Sequence, residues 1–302
     1  MDVKQLQILA ALAREKHFTR AAQACNISQP TLSGRIRQLE EELGVPIVRR
    51  GQRYHGLTSE GEKVLNWAHI ILGNWQAMQQ ELARLSGRQE HLTGKLVIGV
   101  IPSALPMVAR LTQRMQVRHP AIEFTVLSQS TTEILNGLND FSVDAGVAYL
   151  DNEPIDGLVP SPLYRERYHL FVADDHALAG REAVSWQEAA GVALCLLTPQ
   201  MQNRRIIDRA FQAAGCKPEP RLETNSVINL FSNVRHMGLG SVMPEYMKEA
   251  LGRMEGIQAI PLIEPEVEHS VGLLVVNRQP LSPMIAALQQ VANGFSVDGN
   301  IA

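Results

Sequence analysis

The sequence predicts an α/β protein with an N-terminal winged helix-turn-helix, one long helix and a two-lobed α/β body. Amphipathic helical periodicity fills residues 3–43 and leads into a basic turn that contains glycine. A long apolar heptad repeat then begins near residue 59. Beyond residue 92, buried-strand patterns alternate with helical patterns, which indicates a mainly parallel sheet with crossover helices.

Length and charge indicate several domains of different character. The 302 residues exceed what one hydrophobic core normally spans, so two or more domains are expected. Residues 1–91 carry 12 Lys and Arg against 9 Asp and Glu, whereas the remainder carries 16 against 22. A basic front joined to an acidic body fits a nucleic-acid-binding head on a solvent-facing domain.

The N-terminus and the apolar content argue against export and membrane insertion. The first residues lack the basic segment and long apolar run of a secretory signal. No stretch approaches the roughly 18 uninterrupted apolar residues that a membrane helix needs. We therefore expect a cytoplasmic protein that does not contact a membrane.

Cysteine and histidine spacing gives no indication of a metal site or an enzyme. Cys25, Cys195 and Cys216 form neither a disulfide framework nor a CxxC pair, and reduced, mostly buried thiols are expected. A redox pair of Cys195 and Cys216 is the alternative, and it would require proximity and an acidified thiolate. The nine histidines show no HxxxH or HxH spacing, and no GxSxG or GxxxxGK[ST] motif occurs.

Three short helices are predicted in the first 43 residues. The first spans Val3–Lys16, and Thr19 is expected to cap a second helix over Arg20–Cys25. Ser28 is expected to cap the third helix, with Pro30 in its first turn and an end near Leu43.

The third helix has two faces of different chemistry. An apolar stripe is formed by Leu32, Ile36, Leu39 and Leu43, and the opposite side carries Gln29, Thr31, Ser33, Arg35 and Arg37. Short polar side chains at a helix N-terminus, with basic residues behind them, suit entry into a DNA major groove. An ordinary solvated helix face explains this helix alone equally well.

A basic turn after the third helix favours the DNA-binding interpretation. Arg49, Arg50 and Arg53 lie around Gly51, between short segments that are predicted to be extended. Such a hairpin would act as a wing that carries cations to the phosphates beside the groove. The combination of three helices and a basic wing predicts binding to double-stranded DNA.

A long helix is predicted after the wing. Ser59 and Glu62 are spaced as a capping box that would begin it. Spacings of four and three residues then repeat along Val64, Ala68, Ile71, Trp75, Met78, Leu82 and Leu85. This seam predicts pairing with a second copy, so that two recognition helices would meet a two-fold-related DNA site. Packing of the same seam on its own domain is the alternative.

The body is predicted to contain two α/β lobes. Strands at 96–101, 122–127 and 144–149 alternate with helices at 104–119 and 131–138, which indicates right-handed parallel crossovers. A second lobe is expected from about Tyr164, with strands at 169–173, 192–197 and near 222 and a helix from Ser226. Residues 271–276 would cross back, and a helix at 283–295 would close the chain. Ligands in such sheets bind beyond the strand carboxyl ends, where Ser103 and the run 128–131 fall.

The segment from Phe18 to Gly61 resembles the winged helix-turn-helix of LysR-type transcriptional regulators. The likeness includes an alanine pair in the second helix, SQP.LS and IR.LE..LG in the third, the wing arginine and LT..G. The DNA-contacting residues that it implies here are Thr19, Arg20, Ser28, Gln29, Pro30, Thr31, Ser33, Gly34, Arg35, Arg37, Arg50 and Arg53. Gly34 departs from the family, which often has Arg or Gln there; either Arg35 reads the base instead, or glycine allows closer approach.

The resemblance also extends to the whole chain length and domain order. It implies residues 1–58 as the head, 59–91 as the dimerising linker helix and hinge, and 92–302 as an effector-binding domain similar to periplasmic binding proteins. Its first lobe would comprise about 92–161 and 268–302, and its second about 162–267. By this resemblance the cleft residues are Pro102, Ser103, Ser128, Ser130, Thr131, Thr198, Met201, Arg204 and Ser226.

The resemblance implies a sequence-specific, effector-controlled transcriptional regulator. No cofactor is expected beyond a small-molecule effector of unknown identity, for which hydroxyls, helix N-termini and Arg204 favour a small carboxylate or other anion. A homotetramer built from two linker-helix dimers is implied, with RNA polymerase as a further partner. An enzyme lacks the necessary motifs, a solute-binding protein would carry a signal peptide, and a nucleoid-type DNA binder would not need the α/β body.

Overall fold

The structure is a computed structural model that describes residues 1–49, 54–85, 91–151, 155–250, 255–278 and 280–297. Arg50 and Arg53 of the predicted wing lie outside this range. The Leu85 side chain, at the end of the predicted linker seam, is likewise not among the side chains described. None of the described helices is long and apolar enough to span a membrane.

Three helices form the head: α1 at Val3–Glu15, α2 at Phe18–Ala24 and α3 at Gln29–Leu43. The predicted cap at Ser28 is confirmed, since its hydroxyl accepts a hydrogen bond from the Thr31 N–H. The predicted cap at Thr19 is wrong. His17 is the cap instead: its Nδ1 accepts from the Thr19 N–H at 3.2 Å, so α2 begins two residues earlier than expected.

The apolar stripe of α3 packs into the core of the head. Leu32, Ile36 and Leu39 are buried, whereas Leu43 at the helix end is 38% exposed and therefore does not belong to that core. The two flanks of the predicted wing pair in antiparallel fashion at Val48 and Leu57, as a hairpin requires.

The long helix α4 runs from Ser59 to Leu85. Its 27 residues correspond to about 40 Å at 1.5 Å per residue. The predicted capping box of Ser59 is wrong by one residue, because Thr58 Oγ1 accepts the hydrogen bond from the Gly61 N–H at 2.9 Å. Ser59 itself is already helical and donates to Glu60.

Packing of the apolar seam on its own chain, the second of the two alternatives, is seen only in the first half of α4, and pairing with a second copy stays a prediction for the second half. Val64, Ala68 and Ile71 pack with the core of the head. Trp75, Met78 and Leu82 further along are 40%, 42% and 57% exposed. Trp67 is 65% exposed and was not included in the predicted seam. The exposed apolar stripe of α4 is therefore formed by Trp67, Trp75, Met78 and Leu82.

The first lobe of the body is built on the predicted parallel β-α-β-α-β unit. Its elements are β1 (Gly94–Val100), a 3-10 turn (Pro102–Ala104), α5 (Leu105–Arg118), β2 (Ile122–Ser128), α6 (Thr131–Asn139) and β3 (Ala145–Tyr149). β1 lies between β2 and β3 and is parallel to both, which confirms the predicted parallel arrangement. The carboxyl ends of these strands therefore meet at one edge, where the 3-10 turn and α6 begin.

Apart from β9, the strands of the second lobe are short, with two to four residues each. Its elements are β5 (Val184–Ser185), α7 (Trp186–Ala190), β6 (Cys195–Leu197), α8 (Gln202–Ala213), β7 (Leu222–Thr224), α9 (Val227–Met237), β8 (Ser241–Pro244), α10 (Met247–Ala250) and β9 (Ile257–Ile263). The strand predicted at 192–197 is reduced to β6, and β9 was not predicted. β6 and β7 pair in parallel, so α8 and α9 follow strands that end on the same side.

One long strand, β4 (Leu158–Ala173), belongs to both lobes. Its first part pairs with β10 (Glu268–Val276), which pairs in turn with β3. Its last part pairs with β8 and β9 of the second lobe. The strand predicted from residue 169 thus begins eleven residues earlier, and the lobe junction falls within it. The closing helix α11 spans Pro283–Val297.

The head and linker also contact the body of the same chain. His69 on α4 has its Nδ1 2.8 Å from the Asp140 carbonyl oxygen. A Cβ built on Gly73 of α4 would lie 3.8 Å from Nη1 of Arg278 in the body. A cavity of about 600 Å³ lies between α1, α4 and the first lobe. The first half of the linker is therefore held against the body as well as against the head.

Candidate DNA interface and effector cleft

The N-terminus of α3 presents the polar face predicted to meet DNA. Most of the DNA-contact candidates are exposed, namely Thr19, Arg20, Ser28, Gln29, Pro30, Thr31, Gly34 and Arg37. Ser33 is half-buried, and the Arg35 guanidinium lies 3.2 Å from the Asp2 carboxylate. Arg20 also has a local partner, since its Nη2 donates to the Glu15 carbonyl at 2.8 Å. Arg37 is exposed and lies about one helical turn beyond Gly34.

Gly34 lies on this exposed face, away from the rest of the head. A Cβ built on Gly34 has no described atom within 4 Å. Internal packing of the head therefore does not require glycine here. Arg49 of the wing donates from Nε to the Leu57 carbonyl at 2.9 Å, so one of its donors stabilises the hairpin itself.

The residues predicted for the effector cleft lie at strand ends and helix starts in both lobes. In the first lobe, Pro102 and Ser103 form the 3-10 turn after β1, Ser128 ends β2, Ser130 caps α6 and Thr131 is the first residue of α6. In the second, Thr198 follows β6, Met201 precedes α8, Arg204 lies in its first turn and Ser226 caps α9.

A side-chain contact joins the two lobes at this edge. Thr131 is 2% exposed, and its hydroxyl donates to Oε1 of Gln202, the first residue of α8. Gln202 is 4% exposed, and its Nε2 has no hydrogen-bond partner among the described residues. The N-termini of α6 and α8 therefore converge around a buried amide whose donor is unsatisfied.

Two further buried polar atoms in this region have no partner within the described part of the chain, Thr198 Oγ1 and Gln129 Oε1. Buried polar atoms are nearly always hydrogen-bonded to protein or to another molecule. Gln202 Nε2 and Thr198 Oγ1, which both follow β6, are therefore candidates to bind a polar ligand, whereas Gln129 Oε1 lies against Gly99 of β1. Gln129 lies within the run 128–131 that was expected at this edge, but neither Gln129 nor Gln202 was among the predicted cleft residues, because an amide without a companion motif carries no local signal.

Several of the predicted cleft residues have structural partners. Ser130 forms a capping box with Glu133, and Ser226 accepts from the Asn229 N–H. Arg204 is 7% exposed; its Nε contacts Asp208 at 2.8 Å, and its Nη1 contacts Glu223 at 2.6 Å and the Leu197 carbonyl at 2.7 Å. These contacts neutralise Arg204, so they weigh against its predicted role as a carboxylate partner, which stays a prediction.

Ser103 connects the cleft to a buried acid that sequence reasoning missed. Ser103 Oγ lies 3.4 Å from the Tyr149 hydroxyl, which also accepts from Asn203 Nδ2 of α8 at 2.9 Å. The Tyr149 O–H donates to Glu166. Burial raises the pKa of Glu166 to about 7, although hydrogen bonds from the surrounding tyrosines act in the opposite direction.

The three cysteines are free thiols in buried or half-buried positions. Cys195 is fully buried, and Cys25 and Cys216 are half-buried, with no disulfide among them. Burial raises the thiol pKa of Cys195 and of Cys216. No group of His, Cys, Asp and Glu in the described residues is arranged to hold a metal ion.

Two family models match the chain. Residues 3–62 match the bacterial regulatory helix-turn-helix protein of the lysR family, and residues 89–294 match the LysR substrate binding domain. The DNA-binding transcriptional dual regulator OxyR of Escherichia coli K12 is 30% identical over 300 residues, covering 98% of this chain and 95% of OxyR. A probable nitrogen assimilation transcriptional activator of Synechococcus elongatus is 26% identical, covering 96% of this chain and 94% of the relative.

Solved structures share the fold over nearly the entire chain. A full-length OxyR variant from Pseudomonas aeruginosa has a TM-score of 0.79 at 23% identity, covering 97% of this chain and 94% of that one. CbnR in complex with its target DNA has a TM-score of 0.69 at 17% identity, covering 98% of this chain and 100% of that one. The chain therefore belongs to the LysR family of DNA-binding transcriptional regulators, which are not enzymes, and it carries the helix-turn-helix and the effector-binding domain of that family.

Proposed function

We propose that this regulator binds a small carboxylate between the two lobes of its effector-binding domain, and that the bound anion alters how its oligomer holds DNA. The contact between Thr131 and Gln202 carries the proposal, because it brings two helix N-termini together at the lobe junction. A ligand there touches both lobes, so it has a different affinity for different lobe arrangements.

The chemistry of this junction favours an anion. Backbone N–H groups at the first turn of α6 and α8 lack carbonyl partners within their helices, and both helix dipoles place positive charge there. The Gln202 Nε2 is an additional buried donor without a partner in the described chain. A carboxylate oxygen would accept from these donors, and hydroxyls of Ser103, Thr131 and Thr198 would complete the site.

The other predicted cleft residues would support or border the site without binding the anion themselves. Ser130 and Ser226 cap α6 and α9 and thereby fix the direction of those helix starts. Pro102 and Met201 shape the turns before α5 and α8, and exposed Ser128 borders the entrance. Arg204 holds Asp208 and Glu223 rather than ligand.

A ligand screen on the full chain tests the proposal. Small carboxylates such as acetate, pyruvate, succinate and benzoate would be compared with their amides by thermal shift and calorimetry. A genuine ligand at 100 times its Kd stabilises by about 2.7 kcal/mol, which is readily measured. Gln202→Ala should abolish that shift, whereas Gln187→Ala on the exposed face of α7 should leave it unchanged. Binding of the amides alone would refute the carboxylate assignment.

On the DNA side, we propose a dimer that reads a two-fold-related site, with tetramers formed from two dimers. The N-terminus of α3, with Gln29, Thr31 and Arg37, would enter the major groove, and wing residues Arg50 and Arg53 would contact phosphates. The proposed division is head 1–58, linker 59–91 and effector domain 92–302, its lobes comprising about 92–161 with 268–302, and 162–267. RNA polymerase is the further partner proposed for the assembled complex.

Selection of bound sequences from random DNA duplexes tests this arrangement. The selected sites should be inverted repeats with half-site centres about one helical turn apart. Arg37→Ala should weaken binding and reduce its salt dependence, since each lost phosphate contact reduces the slope by about one. Arg118→Ala, at the end of α5 in the effector domain, is the matched control. Selection of asymmetric sites would refute the two-fold model.

Peroxide sensing is not expected of this chain, although several relatives are named hydrogen peroxide-inducible genes activators. The thiols of buried Cys195 and half-buried Cys216 have a raised pKa and therefore hold little thiolate, which is the nucleophile that peroxide oxidises. Hydrogen peroxide should therefore leave DNA binding unchanged in a gel-shift assay. A peroxide response that is lost in Cys195→Ser or Cys216→Ser would reverse this conclusion.

A further inference from the structure

A buried acid occupies the strand that belongs to both lobes. Glu166 lies on β4 and is only 2% exposed. Side chains of a strand alternate between two faces, so Tyr164, Glu166 and Tyr168 share the buried face, whereas Arg165 and Arg167 point outward toward Glu268. Within the described chain, Glu166 forms no ion pair. A carboxylate in this position needs other means of stabilisation.

Three tyrosine hydroxyls surround the carboxylate. Tyr149 and Tyr168 donate to Glu166 Oε1, the latter at 3.1 Å, and Tyr164 donates to Oε2 at 3.2 Å. An ionised carboxylate only accepts hydrogen bonds, so each tyrosine must direct its single proton toward it. A protonated Glu166 has an O–H of its own and releases one tyrosine from that requirement.

Tyr149 connects this cluster to both lobes. Its hydroxyl accepts from Asn203 Nδ2 of α8 at 2.9 Å and lies 3.4 Å from Ser103 Oγ. Asn203 directly follows Gln202, whose amide joins the lobes at the proposed ligand site. The Tyr149 hydroxyl is thus shared by the buried acid, the second lobe and a serine of the cleft.

We propose that Glu166 is a positioning residue. Its protonation state, transmitted through Tyr149, determines whether the Ser103 hydroxyl donates a hydrogen bond to the effector or accepts one. With Glu166 ionised, the Tyr149 proton is committed to it, so Ser103 must donate to Tyr149 to keep that contact. With Glu166 protonated, Tyr149 can donate to Ser103, whose own proton then becomes available to an anion. Effector binding would therefore take up one proton from solvent. This inference rests on the proposed carboxylate function.

The electrostatics of the cluster also predict that protonation of Glu166 and binding of the anion favour each other. Burial raises the pKa of Glu166 to about 7, which places its titration within the physiological range. A second negative charge bound beside Ser103 would raise that pKa further, since like charges disfavour ionisation. By reciprocity, protonation of Glu166 strengthens binding of the anion.

Other groups around the cluster come from several elements. His269 on β10 is the register neighbour of Glu166, and its ring lies 6.2 Å from Tyr149 and 6.5 Å from Tyr168. Burial lowers the pKa of His269, Asp151 opposes that effect, and Arg209 of α8 adds to it. Trp186 on α7 lies 6.4 Å from Tyr168 and does not titrate.

At the outer end of the cluster, Tyr246 lies 5.7 Å from Tyr164, and Arg110 of α5 lies over the Tyr246 ring. Tyr149, Tyr164 and Tyr168 have pKa values raised well above 10 by burial, so they keep their protons over the neutral range. Glu166 and His269 are therefore the groups of the cluster that can change protonation while the tyrosines keep their protons, and the experiment has to show which of them does so.

Measurements on the ligand-free full chain provide the first test. Three of the five tyrosines contact Glu166, so its titration should produce an ultraviolet difference spectrum of tyrosine centred near neutral pH. Glu166→Gln should abolish this change, and Tyr149→Phe should reduce it. Glu268→Gln, an outward carboxylate on the adjacent strand, and His269→Asn should retain it. A wild-type spectrum that is constant from pH 5.5 to about 8.5 would overturn the inference.

Binding of acetate, pyruvate, succinate and benzoate provides the second test. Above neutral pH, the Kd of a probe that binds wild type should rise by close to tenfold per pH unit, while Glu166→Gln binds tightly throughout. Tyr149→Phe should lose the pH dependence, whereas Tyr164→Phe should keep it. A probe that binds with the same pH profile in wild type and Glu166→Gln refutes the inference and leaves the proposed function intact. If no carboxylate binds, the proposed function fails, and the spectra still decide the role of Glu166.

Discussion

Thr131 Oγ1 donates a hydrogen bond to Gln202 Oε1, and these residues begin α6 in one lobe and α8 in the other. Both side chains are nearly fully buried. The contact thus links the starts of two helices from different lobes. A rotation that moves these two helix starts apart would break the contact.

Removal of the Thr131 hydroxyl should loosen the junction of the lobes. Thr131→Val keeps the side-chain shape and leaves the Gln202 amide without a protein partner, which costs about 1–3 kcal/mol. The change should appear as a lower Tm of the effector domain within the full chain. Thr112→Val on α5 is the control, because Thr112 donates to carbonyls of its own helix. An unchanged Tm in Thr131→Val would mean that the contact carries no net stability.

Arg204 should matter for stability rather than for effector affinity. Arg204→Ala leaves the Leu197 carbonyl unpaired and removes the partner of Asp208 and Glu223. Since both carboxylates are more than 40% exposed, solvent screens most of their loss, and a cost of about 1–2 kcal/mol is expected. Urea denaturation measures that cost, and calorimetry measures Kd for any carboxylate found. Normal stability with greatly weakened binding would establish Arg204 as a ligand contact.

The contribution of Glu166 to the stability of the effector domain, measured as the difference between wild type and Glu166→Gln, should fall as pH rises from about 4.5 to about 7. The difference is used because burial lowers the pKa of His169 to about 4, which gives a slope of the opposite sign in both proteins. In this window the folded chain keeps a proton on Glu166 that the unfolded chain has lost. The shift from 4.5 to about 7 corresponds to about 3 kcal/mol, present below the ordinary pKa and lost as pH rises through the folded value. Thermal denaturation in a pH series measures the slope. Glu166→Gln should lack this contribution and exceed wild type in Tm above pH 7; a parallel slope in both proteins would contradict it.

Gly34→Ala should stabilise the head and reveal how closely α3 approaches DNA. Alanine is favoured over glycine within a helix by about 1 kcal/mol, and the added Cβ meets no described atom. Gly44→Ala provides the opposite control, because Gly44 has φ +71° and strains a side chain. Tm and gel-shift titration are measured together. Higher Tm with weaker DNA binding would show that glycine serves close approach, whereas a lower Tm would contradict the exposed position.

Local signals in the sequence predicted most helices but placed some of their starts incorrectly. Ser28 is predicted correctly as a cap, because a serine directly before a segment with helical apolar periodicity is a typical N-cap. Thr19 and Ser59 offered the same signal, but His17 and Thr58 are the caps observed, and a histidine cap has no general signature. Several suitable residues close together therefore leave a helix start uncertain by one or two positions.

The polar network at the lobe junction depends on tertiary contacts and was not predicted. Glu166 stands between two arginines, so its local environment resembles an exposed strand edge. Its burial follows from the partnership with Tyr149, which lies 17 residues away, and Thr131 and Gln202 lie 71 residues apart. Alternation along Tyr164, Glu166 and Tyr168 was the available signal, because a strand that buries tyrosines on one face also buries the acid between them.

The second half of the linker helix should control dimerisation. Trp75, Met78 and Leu82 are exposed in a single chain, and a contiguous apolar stripe of this kind is normally covered by a partner. Leu82→Glu places a charge in that stripe and should convert dimers to monomers at micromolar concentration, as measured by analytical ultracentrifugation. Because the head packs on the first half of α4, its own Tm should remain unchanged.

Val117→Glu is the matched control for a general effect of added charge, since Val117 is 78% exposed on α5 of the effector domain. Loss of the linker dimer should also weaken binding to a two-fold DNA site far more than binding to a half-site. The reason is that a monomer can no longer bind both half-sites at once. If Leu82→Glu remains dimeric and binds the full site normally, the linker stripe is not the dimer seam, and the heads must be paired by another surface.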